Sequence, residues 1–251
     1  MGKIKQTFAW WCNFQGGDAK TFLLDAKKIG YIGTEFVPED QWDMVVDNGM
    51  LVSAAPGNDI KTGPNHRENH NAFEDAVCKA LDQAVKYKIP NLVIFSGNRE
   101  GIGDVEGAVN CVEGFMRVAK KAEEKGVNLA FETLNSKNDH IDYQCDSTNF
   151  AVYVVKAVNS PRVKVLYDIY HMQVMEGDVI ATIKKNIDYI CHIHTAGVPG
   201  RMDMDDTQEL NYTGIMNAIA ATNYSGFVGQ EYCPKGDALE ALKVAYKLCD
   251  V

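Results

Sequence analysis

Short apolar runs rich in β-branched residues alternate along the chain with longer stretches whose apolar positions recur every three or four residues. The short runs read as buried strands and the longer ones as amphipathic helices that cover them, the pattern of a parallel sheet wrapped by helices. Eight strands are predicted: QTFAW (6–10), GTEFV (33–37), MLVSAAP (50–56), NLVIFSG (91–97), NLAFETL (128–134), VKVLYDI (163–169), CHIHTA (191–196) and FVGQEY (227–232). Helices are predicted between them. AKTFLLDAKKIG closes on Gly30, NAFEDAVCKALDQAVKYK follows the third strand, and GAVNCVEGFMRVAKKAEEKG has Gly126 as its C-cap. Eight strand–helix units within 251 residues, with no Pro/Gly/Ser-rich linker, predict an α/β fold: a single-domain (β/α)8 TIM barrel over residues 1–251. A doubly wound open sheet is the alternative, but it usually has fewer strands, and no GxGxxG follows the first one.

Composition narrows the class. Hydrophobic residues at 46% and charged residues at 24% match a globular protein with a sizeable core and argue against disorder. The net charge of −9, with no basic stripe along any helix, disfavours a nucleic-acid partner. It also means that an anionic metabolite would need local positive charge, from a metal or an arginine. No run approaches the roughly eighteen apolar residues of a membrane span, and "MGKIKQTFAWWCNF" lacks a signal-peptide core, so no membrane segment and a cytoplasmic location are expected. Seven scattered cysteines without paired CxxC spacing are expected to be reduced thiols. A homo-oligomer is left open.

In a barrel of this kind the chemistry sits at the C-terminal rim of the strands, so polar residues there carry most information. The fifth strand ends with Glu132, the sixth with Asp168, the seventh carries His194 and the eighth ends with Glu231. Three carboxylates and one imidazole from four successive strands suit a hard or borderline divalent ion, Mn²⁺, Mg²⁺ or Co²⁺, and Zn²⁺ also fits. Without an ion the carboxylates would repel one another, and at least one would stay protonated. Singly, each residue has a plainer reading: helix N-cap or salt-bridge partner for a carboxylate, hydrogen-bonded core residue for a histidine. Their equivalent positions on neighbouring strands favour the joint reading.

His192 and His194 lie two apart and face the same side of their strand; His194 is nearer the rim, while His192 reads as a core or supporting residue. His171 begins the loop after Asp168, close enough for a substrate contact or a structural hydrogen bond. Arg201 follows the "VPG" turn and could fork onto a substrate oxygen or pair at the surface with Asp203, Asp205 or Asp206. Trp10, Trp11, Phe14 and Trp42 could wall the pocket or simply cap the core.

At these residues the chain resembles the xylose-isomerase-like barrel superfamily and, within it, the hydroxypyruvate isomerases. "YDIYHMQVMEGD", "HIHTAGVPGR", "ELNY" and "GFVGQEYCP" look like that family's blocks from the sixth strand onward, in the same order. The resemblance implies metal binding by Glu132, Asp168, His194 and Glu231, with Glu132 and Glu231 as the acid/base pair. It implies substrate contacts from His171 and Arg201, and Asn138, which stands where relatives carry an acidic residue, is taken as a third. The implied activity is aldose–ketose isomerisation of a small hydroxy-carbonyl metabolite of the hydroxypyruvate/tartronate semialdehyde type. Hydroxypyruvate isomerases commonly have glutamine at the position of His194, whereas ketose 3-epimerases have histidine, so epimerisation is the near alternative. A lyase of the same barrel group would release an unsaturated product. A nuclease would want more ligands and a basic groove, and a non-catalytic sugar-binding barrel would have no activity to lose.

Overall fold

The computed structural model describes residues 2–251. Eight parallel strands, β1 (Lys5–Ala9), β2 (Gly33–Glu35), β3 (Leu51–Pro56), β4 (Asn91–Ile94), β5 (Asn128–Glu132), β6 (Val163–Asp168), β7 (Ile190–Thr195) and β8 (Phe227–Gln230), pair in chain order. The ladder closes where β8 pairs with β1, Lys5 against Phe227 through Phe8 against Gln230. Closure rules out the open doubly wound sheet and confirms the (β/α)8 barrel. Helices fill the connections: α1 (Trp10–Asn13), α2 (Ala19–Ile29), α3 (Trp42–Asp47), α4 (His70–Tyr87), α5 (Asp104–Lys125), α6 (Thr148–Val158), α7 (Ile169–Met175), α8 (Val179–Asn186), α9 (Tyr212–Ala220) and α10 (Ala238–Cys249).

Local chemistry explains the boundaries. Asp18 starts α2 by accepting a hydrogen bond from Thr21 N at 2.7 Å. Gly126 ends α5 in the left-handed region, φ 70°, with its N–H on the carbonyls of Ala122 and Glu123. Strand β2 is shorter than its apolar run suggests, because Phe36 turns to φ 55° immediately after Glu35.

Alternation sorts each strand's residues between two environments. Phe8, Leu92, Phe131, Val165, Ile193 and Val228 face outward into one large core shared with helix residues such as Leu23, Leu81, Phe115 and Leu242. Inside the barrel, Ala54, Val93, Ala130 and Leu166 from β3 to β6 make a separate small apolar cluster. The interior positions of β1, β2 and β7 include four buried polar residues, Thr7, Glu35, His192 and His194. Thr7 and His194 both find a partner in Glu35, and His194 finds a second in Glu132 at the C-terminal rim.

Candidate active site

Glu132 and Asp168 are the last residues of β5 and β6, His194 is next to last in β7, and Glu231 directly follows β8. All fall on the inward parity of their strands. Register keeps them level: Asp168 pairs with His194 across β6 and β7, and Glu231 N–H donates to Thr195 O at 3.0 Å. None is more than 4% exposed. One ligand atom from each of the four lies within 4.8 Å of the others. His194 Nδ1 is at the centre, 3.1 Å from Glu132 Oε1, 3.0 Å from Glu231 Oε2 and 3.8 Å from Asp168 Oδ2.

Asp168 and Glu231 are also held from outside the cluster. Asp168 Oδ1 accepts from His171 N at 3.0 Å and thereby caps α7, which leaves Oδ2 facing inward. Glu231 Oε1 accepts from Trp11 Nε1 at 2.9 Å, and its Oε2 accepts from Arg201 Nη2 at 2.7 Å. Burial pushes Asp168 up to about 7, with Glu231 and Glu132 adding to it against Arg201 and His194. Burial likewise raises Glu132. Burial would raise Glu231 too, but Arg201, His194 and the Trp11 N–H together hold it well below the ordinary carboxylate range. For His194 burial favours the neutral ring and is outweighed by Glu231, Glu35 and Glu132, which raise it.

Residues 23–248 match the family model described as xylose isomerase-like TIM barrel. The chain belongs to this family. Over 229 residues, 84% of this chain and 86% of the relative, it is 32% identical to the hydroxypyruvate isomerase of Escherichia coli K12. Over 203 residues, 78% of this chain and 77% of the relative, it is 27% identical to the 2-oxo-tetronate isomerase of Pectobacterium atrosepticum. A crystal structure described as an AP endonuclease of family 2 from Brucella melitensis superposes with a TM-score of 0.85 at 28% identity, covering 95% of this chain and 97% of that one.

The rim of this xylose isomerase-like barrel fits a divalent cation. Around an ion with bonds of about 2.0–2.2 Å, ligand atoms stand no more than about 4.5 Å apart, close to the spread seen here. The three buried carboxylates face His194 and Arg201 as positive partners, one fewer than their own number, so a cation would offset the remaining repulsion. Oxygen donors plus one imidazole suit Mn²⁺, Mg²⁺ or Co²⁺.

The substrate-contact expectations divide. His171 lies beside the cluster, its Nε2 3.7 Å from Asp168 Oδ2 and buried without a hydrogen-bond partner. Its Nδ1 is 2.6 Å from Asn135 Nδ2, and Asn135 in turn donates to Asp139, which also accepts from Tyr170 OH. Arg201 turns inward, with no ion pair to Asp203, Asp205 or Asp206 among the described residues; Lys235 pairs with Asp205 instead. Its guanidinium sits 5.4 Å from the Trp11 ring and 5.8 Å from that of Tyr170, and its Nε is buried without a partner. Asn138 is exposed and its backbone N–H is bound by Asn135 Oδ1; nothing ties its side chain to the cluster among the described residues.

Of the four aromatics, only Trp11 reaches the site. Trp10 stacks on Phe14 at 4.6 Å, and Trp42 packs on Tyr87 with its N–H on Val37 O. Glu35 is the residue that strand-end reasoning passed over. It is fully buried on β2, 2.7 Å from His192 Nε2 and 3.3 Å from His194 Nε2. Burial would raise it, but the two histidines bring it down to about 2. The available signal was a charged residue inside an apolar strand, which is rarely buried without a partner.

Proposed function

We propose that this isomerase moves a carbonyl between adjacent carbons of a small α-hydroxy carbonyl compound of the hydroxypyruvate/tartronate semialdehyde type, at a divalent-metal site formed by Glu132, Asp168, His194 and Glu231. The observation that carries the reading is the convergence of these four side chains within 4.8 Å, with Arg201 and His171 at their edge. The named activities of the Escherichia coli and Pectobacterium relatives support it.

A divalent ion held by these residues would supply the Lewis acidity that makes a hydrogen next to a carbonyl removable near neutral pH. Glu132 and Glu231 form the acid/base pair. One takes the proton from the hydroxyl-bearing carbon to give an enediolate; a proton returned to the former carbonyl carbon, with the hydroxyl proton passing to the former carbonyl oxygen, completes the shift. Glu231 already has a donor on each oxygen, whereas among the described residues the Glu132 carboxylate meets only His194. Glu132 is therefore the freer of the two to exchange a proton. Arg201, with its unpartnered Nε, supplies the positive charge that an anionic substrate needs, and the free Nε2 of His171 is placed for a substrate hydroxyl.

Ketose 3-epimerisation is the second reading, favoured by histidine at 194. Incubation of the Mn²⁺-loaded protein in D₂O with hydroxypyruvate, a 2-oxo-tetronate and a ketohexose, against an enzyme-free control, separates the two. Conversion with deuterium on the carbon that gave up its carbonyl supports isomerisation, and inversion with the carbonyl unmoved supports epimerisation. No conversion of any of them above the control overturns both.

A further inference from the structure

We propose that Glu35 is a positioning residue for the metal site: by accepting the N–H of His194 Nε2 it leaves Nδ1 as the ring's lone-pair donor toward the cation. The inference rests on the metal-site reading given above. A neutral imidazole carries one proton on one of its two nitrogens, and the protonated nitrogen cannot ligate. In His194 the nitrogens face different acidic groups. Nδ1 faces Glu132 and Glu231 at 3.1 and 3.0 Å, and Nε2 faces Glu35 Oε2 at 3.3 Å on the opposite side.

The barrel is shaped around that carboxylate. Glu35 Oε1 accepts from Thr7 Oγ1 at 3.2 Å, and Oε2 is also 2.7 Å from His192 Nε2, whose ring stands nearly perpendicular to that of His194. On β8, the neighbour of His194 is Gly229. A Cβ there would fall 1.8 Å from Glu35 Oε1 and 3.1 Å from His194 Cδ2, so the strand omits a side chain where the carboxylate needs room. The β2–β3 register shifts between Thr34 and Glu35, a local irregularity of the kind that redirects a side chain. The same carboxylate and two histidines stand close together as a hydrogen-bonded cluster, and an ion among them would have to lengthen the Glu35–His192 contact. Donor atoms around an ion with bonds of about 2.0–2.1 Å stand about 2.9 Å or more apart, and the Glu35–His192 contact is shorter.

Two measurements test the role of Glu35. In unaltered protein labelled with ¹⁵N-histidine and loaded with Zn²⁺, the His194 ring is expected to show a metal-bound Nδ1 and a protonated Nε2; coordination through Nε2 overturns the proposal whatever any variant does. Calorimetric titration with Mn²⁺ is expected to show affinity falling about 10–100-fold in Glu35→Gln. Gly229→Ala, which keeps the carboxylate but displaces it, should fall in the same direction. Unchanged affinity in both variants overturns the role of Glu35 and leaves the metal site standing. Failure of the unaltered protein to bind Mn²⁺ or Zn²⁺ overturns the metal-site reading, and this inference with it.

Discussion

Asp168 divides its two oxygens between structure and chemistry, one on the α7 backbone and one toward His194. That division sets how the site responds to pH. Burial and neighbouring carboxylates hold Asp168 up at about 7, and His194 is also raised. A group with a raised pKa keeps its proton to higher pH, and an incoming cation must displace it. Divalent-ion affinity is therefore expected to climb as pH rises from 5.5 toward neutrality, by about tenfold per pH unit for each proton displaced. The slope should lessen by one proton once Asp168 ionises near 7, while the His194 proton is still being displaced. Mn²⁺ titrations between pH 5.5 and 8.5 measure this, and a flat profile contradicts it. Of the individual residues, the four at the strand ends were legible because position along a strand predicts height in a barrel. Glu35 and the Glu231 contacts of Trp11 and Arg201 were not, because each depends on what another strand or loop places opposite it.

At the level of elements, β5 to β8 deliver their last inward side chains to the rim, and after β1 and β6 the next helix starts at once. The join between β6 and α7 is the tightest case, since Asp168 belongs to both functions. Asp168→Asn keeps an oxygen to cap α7 and removes a carboxylate from a crowded cluster, so the ion-free protein should melt no lower than the unaltered one, while Mn²⁺ stabilises it far less. Asp168→Ala loses the cap as well and should be about 1 kcal/mol less stable than Asp168→Asn. Thermal denaturation with and without Mn²⁺ reads both effects, and equal melting of the two variants would show that the cap contributes nothing. The elements themselves followed from periodicity: all eight strands lie where their apolar runs are, and Gly126 closes α5 as its position suggested. The paired helices after β6 and the early end of β2 did not follow, because φ at Phe36 and the cap at Asp168 reflect local packing and not hydrophobic pattern.

For the whole molecule, the site belongs to the closed barrel and to no smaller part of it, because its residues come from β2, β5, β6 and β7, from the end of β8, from α1 and α7, and from the loop after β7. A cation that ties these together binds the folded chain far better than the unfolded one. At a hundred times its dissociation constant it should add about 2.7 kcal/mol of stability. For a chain of this length that corresponds to about 5–10 °C in melting temperature, reversed by a chelator. Differential scanning fluorimetry with Mn²⁺ and then EDTA measures it, and no shift would argue against a metal site in the barrel. The amino-acid sequence by itself determined the fold class, the number and order of strands, and which carboxylates and which histidine stand at the rim, since these follow from periodicity of 2 and 3.6 and from place along a strand. Tertiary structure alone decided which nitrogen of His194 faces the site, that Glu35 lies behind it in space left by Gly229, and that Arg201 pairs with Glu231 and not with its neighbouring aspartates. Those depend on distances between residues from 30 to nearly 200 positions apart, which barrel closure creates and no local pattern encodes.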